Sequence, residues 1–218
     1  MKQMMQTEEL IKSLTAGLQP TAPQALQRLL LQAILFGAVG TLVIFAIVYR
    51  PRADIATAIR DWPTMMKLAY ALSMALCAWL LCEKLARPGV SVKQLLWLPV
   101  IPALLLGGVA LNTALQAPAD LRHWLLFGHS ALYCPFNIAL LSLPIFVMLV
   151  RSLRRAAPTQ LRLSAAIAGL VSGAVATLFY SLYCTESSVQ FVAAWYTLGM
   201  LLPAAYGALF GHRLLHWR

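Results

Sequence analysis

Charged residues are scarce in this chain of 218 residues, of which only 11% are Asp, Glu, Lys or Arg. A soluble domain carries about 25%, so the composition excludes an ordinary water-soluble globular protein. The acids number seven, and none lies near the centre of a long apolar run. Ion-coupled transporters usually place ionisable side chains at that depth. A small multi-span transporter or channel is therefore only the second interpretation.

Catalytic and nucleotide-binding motifs are also missing. The chain contains no GxSxG, GxxxxGK[ST], GxGxxG or HExxH pattern. No two acids pair within one apolar run. We therefore expect no enzyme, and no cofactor apart from a metal ion that acts as a signal.

Long apolar runs dominate what is present. The chain is 61% hydrophobic with a mean hydropathy of +0.74, and about 20 apolar residues in a helix cross the ~30 Å hydrocarbon core. The pattern predicts an all-α, six-transmembrane-helix bundle (residues 29–218) that follows a cytoplasmic segment (residues 1–28). The predicted spans are Leu29–Val48, Trp62–Cys82, Leu95–Leu115, Ala131–Val150, Leu163–Cys184 and Phe191–Phe210.

Basic residues fall unevenly on the two sides of these spans. With a cytoplasmic N-terminus, the cytoplasmic segments carry twelve Lys and Arg and the outer segments five, which predicts that both termini are cytoplasmic. The net charge of +10 is thus explained by topology and lipid headgroups, and no nucleic-acid partner is expected. Lys67 lies about one turn inside the second span, where its long side chain is expected to extend to water.

Two glycine pairs predict close helix packing. Gly169 and Gly173 have the small-xxx-small spacing that lets two helix backbones approach, and Gly107 and Gly108 are adjacent in the third span. Both pairs are expected to lie against a neighbouring helix.

The N-terminal segment predicts a short amphipathic helix. Thr7 is a suitable N-cap, and Pro20 and Pro23 end the pattern before the first span. One face of this helix carries Leu10, Ile11, Leu14 and Leu18. Such a face either lies on the membrane surface or docks in a groove of a soluble partner, and the pattern fits both.

Two cysteines are predicted to meet at the outer face. Cys134 begins the fourth span and Cys184 ends the fifth, so both reach the same depth. If the helix starts beside Pro135, Cys134 feels the positive end of its dipole, but a cap at Ser130 weakens this argument. The pair fits a redox-active disulfide, a structural disulfide or two free thiols, whereas Cys77 and Cys82 are expected to be small buried hydrophobes.

A metal site is the competing use of the same region. Thiolate, imidazole and carboxylate groups suit zinc and similar ions. The possible ligands are His129, Cys134, Cys184 and Glu186. No closely spaced ligand pair supports this set.

An ordered series of features carries a resemblance to a known family. Cys134 precedes the fourth span, an Arg-rich segment with Ala-Pro occupies residues 151–158, Tyr180–Cys184 ends the fifth span, and Trp195-Tyr196 opens the sixth. The series resembles the NrsF family of bacterial membrane anti-sigma factors, negative regulators of sigma factor F. The resemblance covers roughly the whole chain and is clearest from Gly128 onward.

The resemblance implies a mechanism. Family members hold an extracytoplasmic-function sigma factor at the inner membrane and release it through paired cysteines on an envelope signal, in some members a heavy metal. Cys134 and Cys184 would then be the sensor, and membrane lipid would be a second partner. Amphipathicity, rather than a family motif, makes the Leu10, Ile11, Leu14 and Leu18 face the candidate docking surface for the sigma factor. A membrane enzyme that uses the cysteine pair is the third interpretation.

Overall fold

The computed structural model describes residues 7, 9–12, 23–49, 57, 59–87 and 89–216. Within these ranges the chain is helical and contains no strand. Among the same residues, six helices are long and apolar enough to cross a membrane. The predictions of an all-helical fold and of six helices long and apolar enough to span a membrane are therefore confirmed.

From residue 23 onward, seven helices follow one another along the described chain. They are α1 (Gln24–Tyr49), α2 (Trp62–Leu85), α3 (Leu95–Gln116), α4 (Ala119–Phe127), α5 (Tyr133–Ala156), α6 (Leu161–Ser181) and α7 (Val189–Leu214). Each predicted span coincides with one long helix, and the largest difference is that α5 continues from Val150 to Ala156. The short α4 was not predicted.

Local backbone chemistry sets the ends of the helices that position the two cysteines. Ala157 ends α5 in the left-handed conformation, with φ 57°, and Pro158 follows, which has no N–H with which to continue the helix. The short connection to Leu161 makes α5 and α6 antiparallel neighbours. The start of α5 and the end of α6 therefore lie at one end of the bundle, here the cysteine end. The opposite end, where α5 and α7 finish and α6 begins, is the basic end.

α6 is the central helix and packs against α2, α5 and α7. Its contact with α7 depends on glycine, because a Cβ at Gly169 would overlap the Pro203 carbonyl oxygen and one at Gly173 would lie 2.8 Å from Met200 Cα. A Cβ at Gly207 on α7 would likewise overlap the Ala165 carbonyl oxygen. The prediction from the Gly169 and Gly173 spacing is confirmed.

α1 packs along α5 with similar closeness. A Cβ at Gly37 would lie 2.5 Å from Ile145 Cα, and Thr41 Oγ1 donates a hydrogen bond of 2.8 Å to the Leu141 carbonyl. The helix that follows the N-terminal segment is thereby in direct contact with the helix that begins at the cysteine end.

α3 lies at the periphery, against α2 and the start of α7. Its buried residues are Leu106 and Ala110, so only one narrow face touches protein. A Cβ at Gly107 or Gly108 would have no atom within 4 Å. The prediction that this glycine pair packs closely is wrong, because both residues lie off the contact face.

Candidate functional site

The turn between α6 and α7 carries Cys184 and Glu186 and is the centre of the cysteine end. Cys134 lies in the first turn of α5, 0% exposed, and Cys184 is 3% exposed. The Cys134 thiol is close enough to Cys184, Lys67 and Glu186 to interact electrostatically with each of them, and it lies beside the Tyr180 side chain. The predicted convergence of the two cysteines is thus present.

No disulfide joins the two cysteines. All four cysteines of the chain are free thiols in this structure, so neither disulfide interpretation finds support here. Cys134 N donates a hydrogen bond of 2.9 Å to the Ser130 carbonyl, so its own amide is not a free dipole end. The helix nevertheless begins at Tyr133, close to the position expected from Pro135.

Lys67 of α2 is buried at the centre of this site, with 1% of its surface exposed. Its ammonium donates hydrogen bonds of 2.9 Å to the Cys184 carbonyl and 2.7 Å to the Glu186 carbonyl. The expectation that Lys67 extends to water is therefore wrong. Carbonyls of an irregular turn need donors when they are buried, and Lys67 supplies two of them from a neighbouring helix.

The Glu186 side chain fixes the same turn to the start of α5. One carboxylate oxygen accepts hydrogen bonds from His129 N at 2.7 Å and Ser130 Oγ at 3.3 Å. Gly128 has φ 48°, and a Cβ there would lie 2.5 Å from Glu186 Oε2. The position thus requires glycine both for its backbone conformation and for the room that the carboxylate occupies.

The metal ligand set is not assembled. Among the residues that the structure describes, no three His, Cys, Asp or Glu side chains are grouped so that they could hold an ion. Glu186 is engaged with the backbone and hydroxyl of residues 129 and 130, while the His129 ring lies beside Trp124 at 5.8 Å. The four-residue set of His129, Cys134, Cys184 and Glu186 therefore does not converge here.

Tyrosines connect the cysteines to α1. Tyr49, at the end of α1, donates a hydrogen bond of 3.0 Å to Asn137 Oδ1, one turn after Cys134. The Tyr49 ring also contacts Tyr183 at 5.3 Å and Tyr180 at 6.3 Å. Residues of α5, of α6 and of the turn before Cys184 thus meet at one side chain of α1.

Two π-helical segments border the site. Phe45–Tyr49 ends α1 and Val192–Tyr196 lies near the start of α7. Such segments are frequent at functional sites, because they turn side chains out of the regular helical register. Here each segment ends with a tyrosine at the cysteine end of the bundle.

The candidate docking face is described in part. Residue 7 and residues 9–12 are helical, and Leu10 and Ile11 are 58% and 55% exposed. Leu14 and Leu18 lie outside the described residues. Two of the four predicted positions are therefore exposed apolar side chains.

Comparison with known proteins assigns the family. A family model described as NrsF, negative regulator of sigma F, matches residues 14–217. The chain belongs to the NrsF family. It is 37% identical over 217 residues to the probable anti-sigma-F factor NrsF of Azospira oryzae, with 98% of this chain and 100% of the relative covered. It is 34% identical over 223 residues to the anti-sigma-F factor NrsF of Caulobacter vibrioides, with the same coverage. No solved structure matches.

Membership of the NrsF family confirms the resemblance, but sequence reasoning missed two parts of the site. An ionisable residue inside a predicted span is a functional candidate by default, so the position of Lys67 in the second span is a sequence signal for this part of the site. The Tyr49 contact with Asn137 had no local signal, because 88 residues separate the two.

Proposed function

We propose that this chain is an integral-membrane anti-sigma factor that sequesters an extracytoplasmic-function sigma factor at the bacterial inner membrane. Both termini are cytoplasmic in this proposal, and the face with Leu10, Ile11, Leu14 and Leu18 binds the sigma factor. The observation that carries it is the full-length similarity to two proteins named as anti-sigma-F factors. The six apolar helices support a membrane location.

In this proposal the cysteine end faces the envelope and senses the signal. An oxidant from the envelope would take two electrons from the Cys134 and Cys184 thiols, forming one S–S bond and releasing two protons. A thiophilic metal ion would instead displace the same two protons and bind both sulfurs. Either event changes the bonding of two residues that are now buried free thiols in one cluster.

A route from the cysteines to the docking segment is provided by α1. Cys134 and Asn137 are one turn apart on α5, and Asn137 holds Tyr49 at the end of α1. The α1 backbone then follows α5 closely past Thr41 and Gly37. Because α1 comes directly after the N-terminal segment in sequence, a shift of α5 or of the Cys184 turn would move the helix to which the docking face is attached.

Such a shift releases the sigma factor only if it changes the free-energy difference between the bound and released states by enough. Moving a two-state equilibrium from 1:99 to 99:1 takes about 5.5 kcal/mol of differential free energy. The hydrogen bonds of Lys67, Glu186 and Tyr49 at this end are each worth about 0.5–3 kcal/mol. Rearranging several of them together is therefore sufficient, whereas loss of one alone is not.

The docking face is tested by co-purification of the tagged full-length chain from its native membranes. Leu10→Asp/Leu14→Asp is compared with Lys12→Asp, which changes the net charge by the same two units on the same helix. We expect a sigma factor with wild type and Lys12→Asp, and its loss with the double variant. A sigma factor retained by all three would discard this face but keep the function. Its absence from all three would discard the anti-sigma proposal and favour the transporter or channel.

The sensor is tested in cells that express the sigma factor and a reporter for it. Cys134→Ser and Cys184→Ser should retain the sigma factor but no longer release it on oxidant or heavy-metal stress. Cys77→Ser and Cys82→Ser are the matched controls and should respond like wild type. Normal release from both Cys134 and Cys184 variants would remove the pair from the mechanism, and thiol trapping in the same samples would separate disulfide formation from metal binding.

A further inference from the structure

A cavity of about 590 Å³ lies at the basic end, far from the two cysteines along α5. Arg154 of α5 lines one side, and residues from the end of α7 line the other. These residues are His212 and Arg213 in the last turn of α7, and His216 just after it. Two guanidinium groups and two imidazoles therefore surround one opening.

Local geometry explains how these groups come together. The Arg154 Nε–H donates to the Leu214 carbonyl, which joins the end of α5 to the end of α7. His212 lies in the last turn of α7 and His216 follows the end of that helix, and their ring centroids are 5.5 Å apart. Cations at helix C-termini also offset the negative ends of the helix dipoles, so this bond alone has a structural explanation.

The cavity contains more hydrogen-bond donors than the bond to the Leu214 carbonyl uses. A guanidinium carries five N–H donors, and Arg154 uses one of them on the Leu214 carbonyl. Within the described ranges, its other four N–H groups and the Arg213 guanidinium have no protein hydrogen-bond acceptor. Paired guanidiniums with neighbouring imidazoles are suited to the oxygens of a phosphate group.

The surface beside the cavity distinguishes a lipid phosphate from a free one. The two turns of α7 before Arg213 expose Tyr206, Leu209 and Phe210, and Leu209 is 73% exposed. Val147, two turns before Arg154 on α5, is exposed as well. The apolar surface that faces lipid thus runs directly up to the basic cavity, so a headgroup held there would place its acyl chains along these side chains.

We propose that the cavity formed by Arg154, His212, Arg213 and His216 binds the phosphate headgroup of an anionic phospholipid. Basic pockets between the ends of transmembrane helices on the cytoplasmic side have this property. The ligand chemistry is a phosphodiester with attached acyl chains. The site is independent of the cysteine pair and of the sigma factor.

The test measures lipid binding to the full-length protein purified in a neutral detergent. The probes are phosphatidylglycerol, cardiolipin, phosphatidylcholine and inorganic phosphate, with native mass spectrometry and the lipid-induced shift in Tm as readouts. Arg154→Gln/Arg213→Gln is compared with Arg151→Gln/Arg155→Gln, which removes two charges from exposed positions of the same helix that do not line the cavity. Because Arg154 also holds the Leu214 carbonyl, Arg213→Gln/His216→Gln serves as a second variant that leaves that bond in place.

The proposal expects the wild type and the Arg151/Arg155 variant to bind the anionic lipids in preference to phosphatidylcholine. Both cavity variants should bind them about tenfold more weakly or worse. Equal losses in the control variant would show a diffuse charge effect and overturn the site. Inorganic phosphate that competes as well as the lipids would overturn the lipid assignment. Cavity variants that bind the anionic lipids as well as the wild type does would also overturn the site.

Discussion

At the cysteine end of the bundle, Lys67 and the two thiols are buried and Glu186 is partly buried. The Lys67 side chain of α2 and the Glu186 carboxylate hold one turn in place. At the basic end, Arg154 and Arg213 are exposed and face an open cavity. A buried polar group that loses its partner costs the whole of its desolvation, whereas an exposed one is solvated again. A single substitution should therefore lower the free energy of unfolding more at the cysteine end than at the basic end. Similar substitutions at the two ends measure that difference.

The largest effect on stability is expected for Lys67→Met, because it removes the donor to the buried Cys184 carbonyl and to the partly buried Glu186 carbonyl. We expect a loss of about 2–5 kcal/mol in the free energy of unfolding, measured by denaturant titration in detergent. Lys84→Met is the matched control, since it makes the same change near the other end of the same helix at an exposed position, and it should cost less than about 0.5 kcal/mol. Equal effects of the two changes would contradict the contrast between the ends.

Glu186→Ala should follow, because the carboxylate accepts two hydrogen bonds at the start of α5. Hydrogen bonds to a charged group contribute about 1.5–3 kcal/mol, and we expect a loss of that size by the same titration. The control at the basic end is Glu83→Ala, which removes a one-turn ion pair of 2.8 Å with Arg87. Such a partly exposed pair is worth about 0.3–0.5 kcal/mol, and a cost above that of Glu186→Ala would refute the ranking.

Gly207→Ala tests the packing between α6 and α7. This packing extends towards both ends of the bundle and so is not specific to either of them. The added Cβ would overlap the Ala165 carbonyl oxygen, and overpacking of this kind costs about 1–3 kcal/mol. Gly107→Ala on α3 meets no atom and should stabilise its helix by about 0.5–1 kcal/mol. Thermal unfolding of both variants tests the prediction, which requires shifts in Tm of opposite sign.

Tyr49→Phe should have the smallest effect on stability and a larger one on signalling. It removes one hydrogen bond of 3.0 Å to Asn137, for an expected loss of about 1 kcal/mol, while the ring contacts remain. In the reporter assay, release of the sigma factor should weaken with the cysteines intact. Tyr206→Phe, towards the basic end, is the control, and a normal response in Tyr49→Phe would remove α1 from the proposed route.

The sequence predicted the helices well because each span is decided by a local property. A run of about 20 apolar residues indicates a membrane-spanning helix. Six of the seven helices α1–α7 could therefore be located from the sequence. α4 is short and of mixed composition, and its contacts with the start of α7, such as the Trp195 Nε1–H bond of 2.7 Å to the Leu126 carbonyl, are not visible in a linear pattern.

The site was predicted only where chain geometry alone determines it. A short connection between α5 and α6 is enough to bring Cys134 and Cys184 to the same end, and that convergence was expected. The partners of Lys67 could not be predicted, because they are main-chain carbonyls 117 and 119 residues away. Any residue type presents the same carbonyl, so no side-chain pattern marks it.

The Lys67 bonds have a consequence for how the protein is made. During synthesis α2 enters the membrane long before residues 184–186 leave the ribosome, so its ammonium must be accommodated without those carbonyls until the last hairpin forms. Lys67 lies near the start of α2, where water is close enough to hydrate it in that interval. When α6 and α7 form, the turn between them therefore supplies the hydrogen-bond acceptors of Lys67 in α2. A chain that stops before Cys184 lacks both of these carbonyls, so its Lys67 ammonium cannot form the two hydrogen bonds that hold the turn.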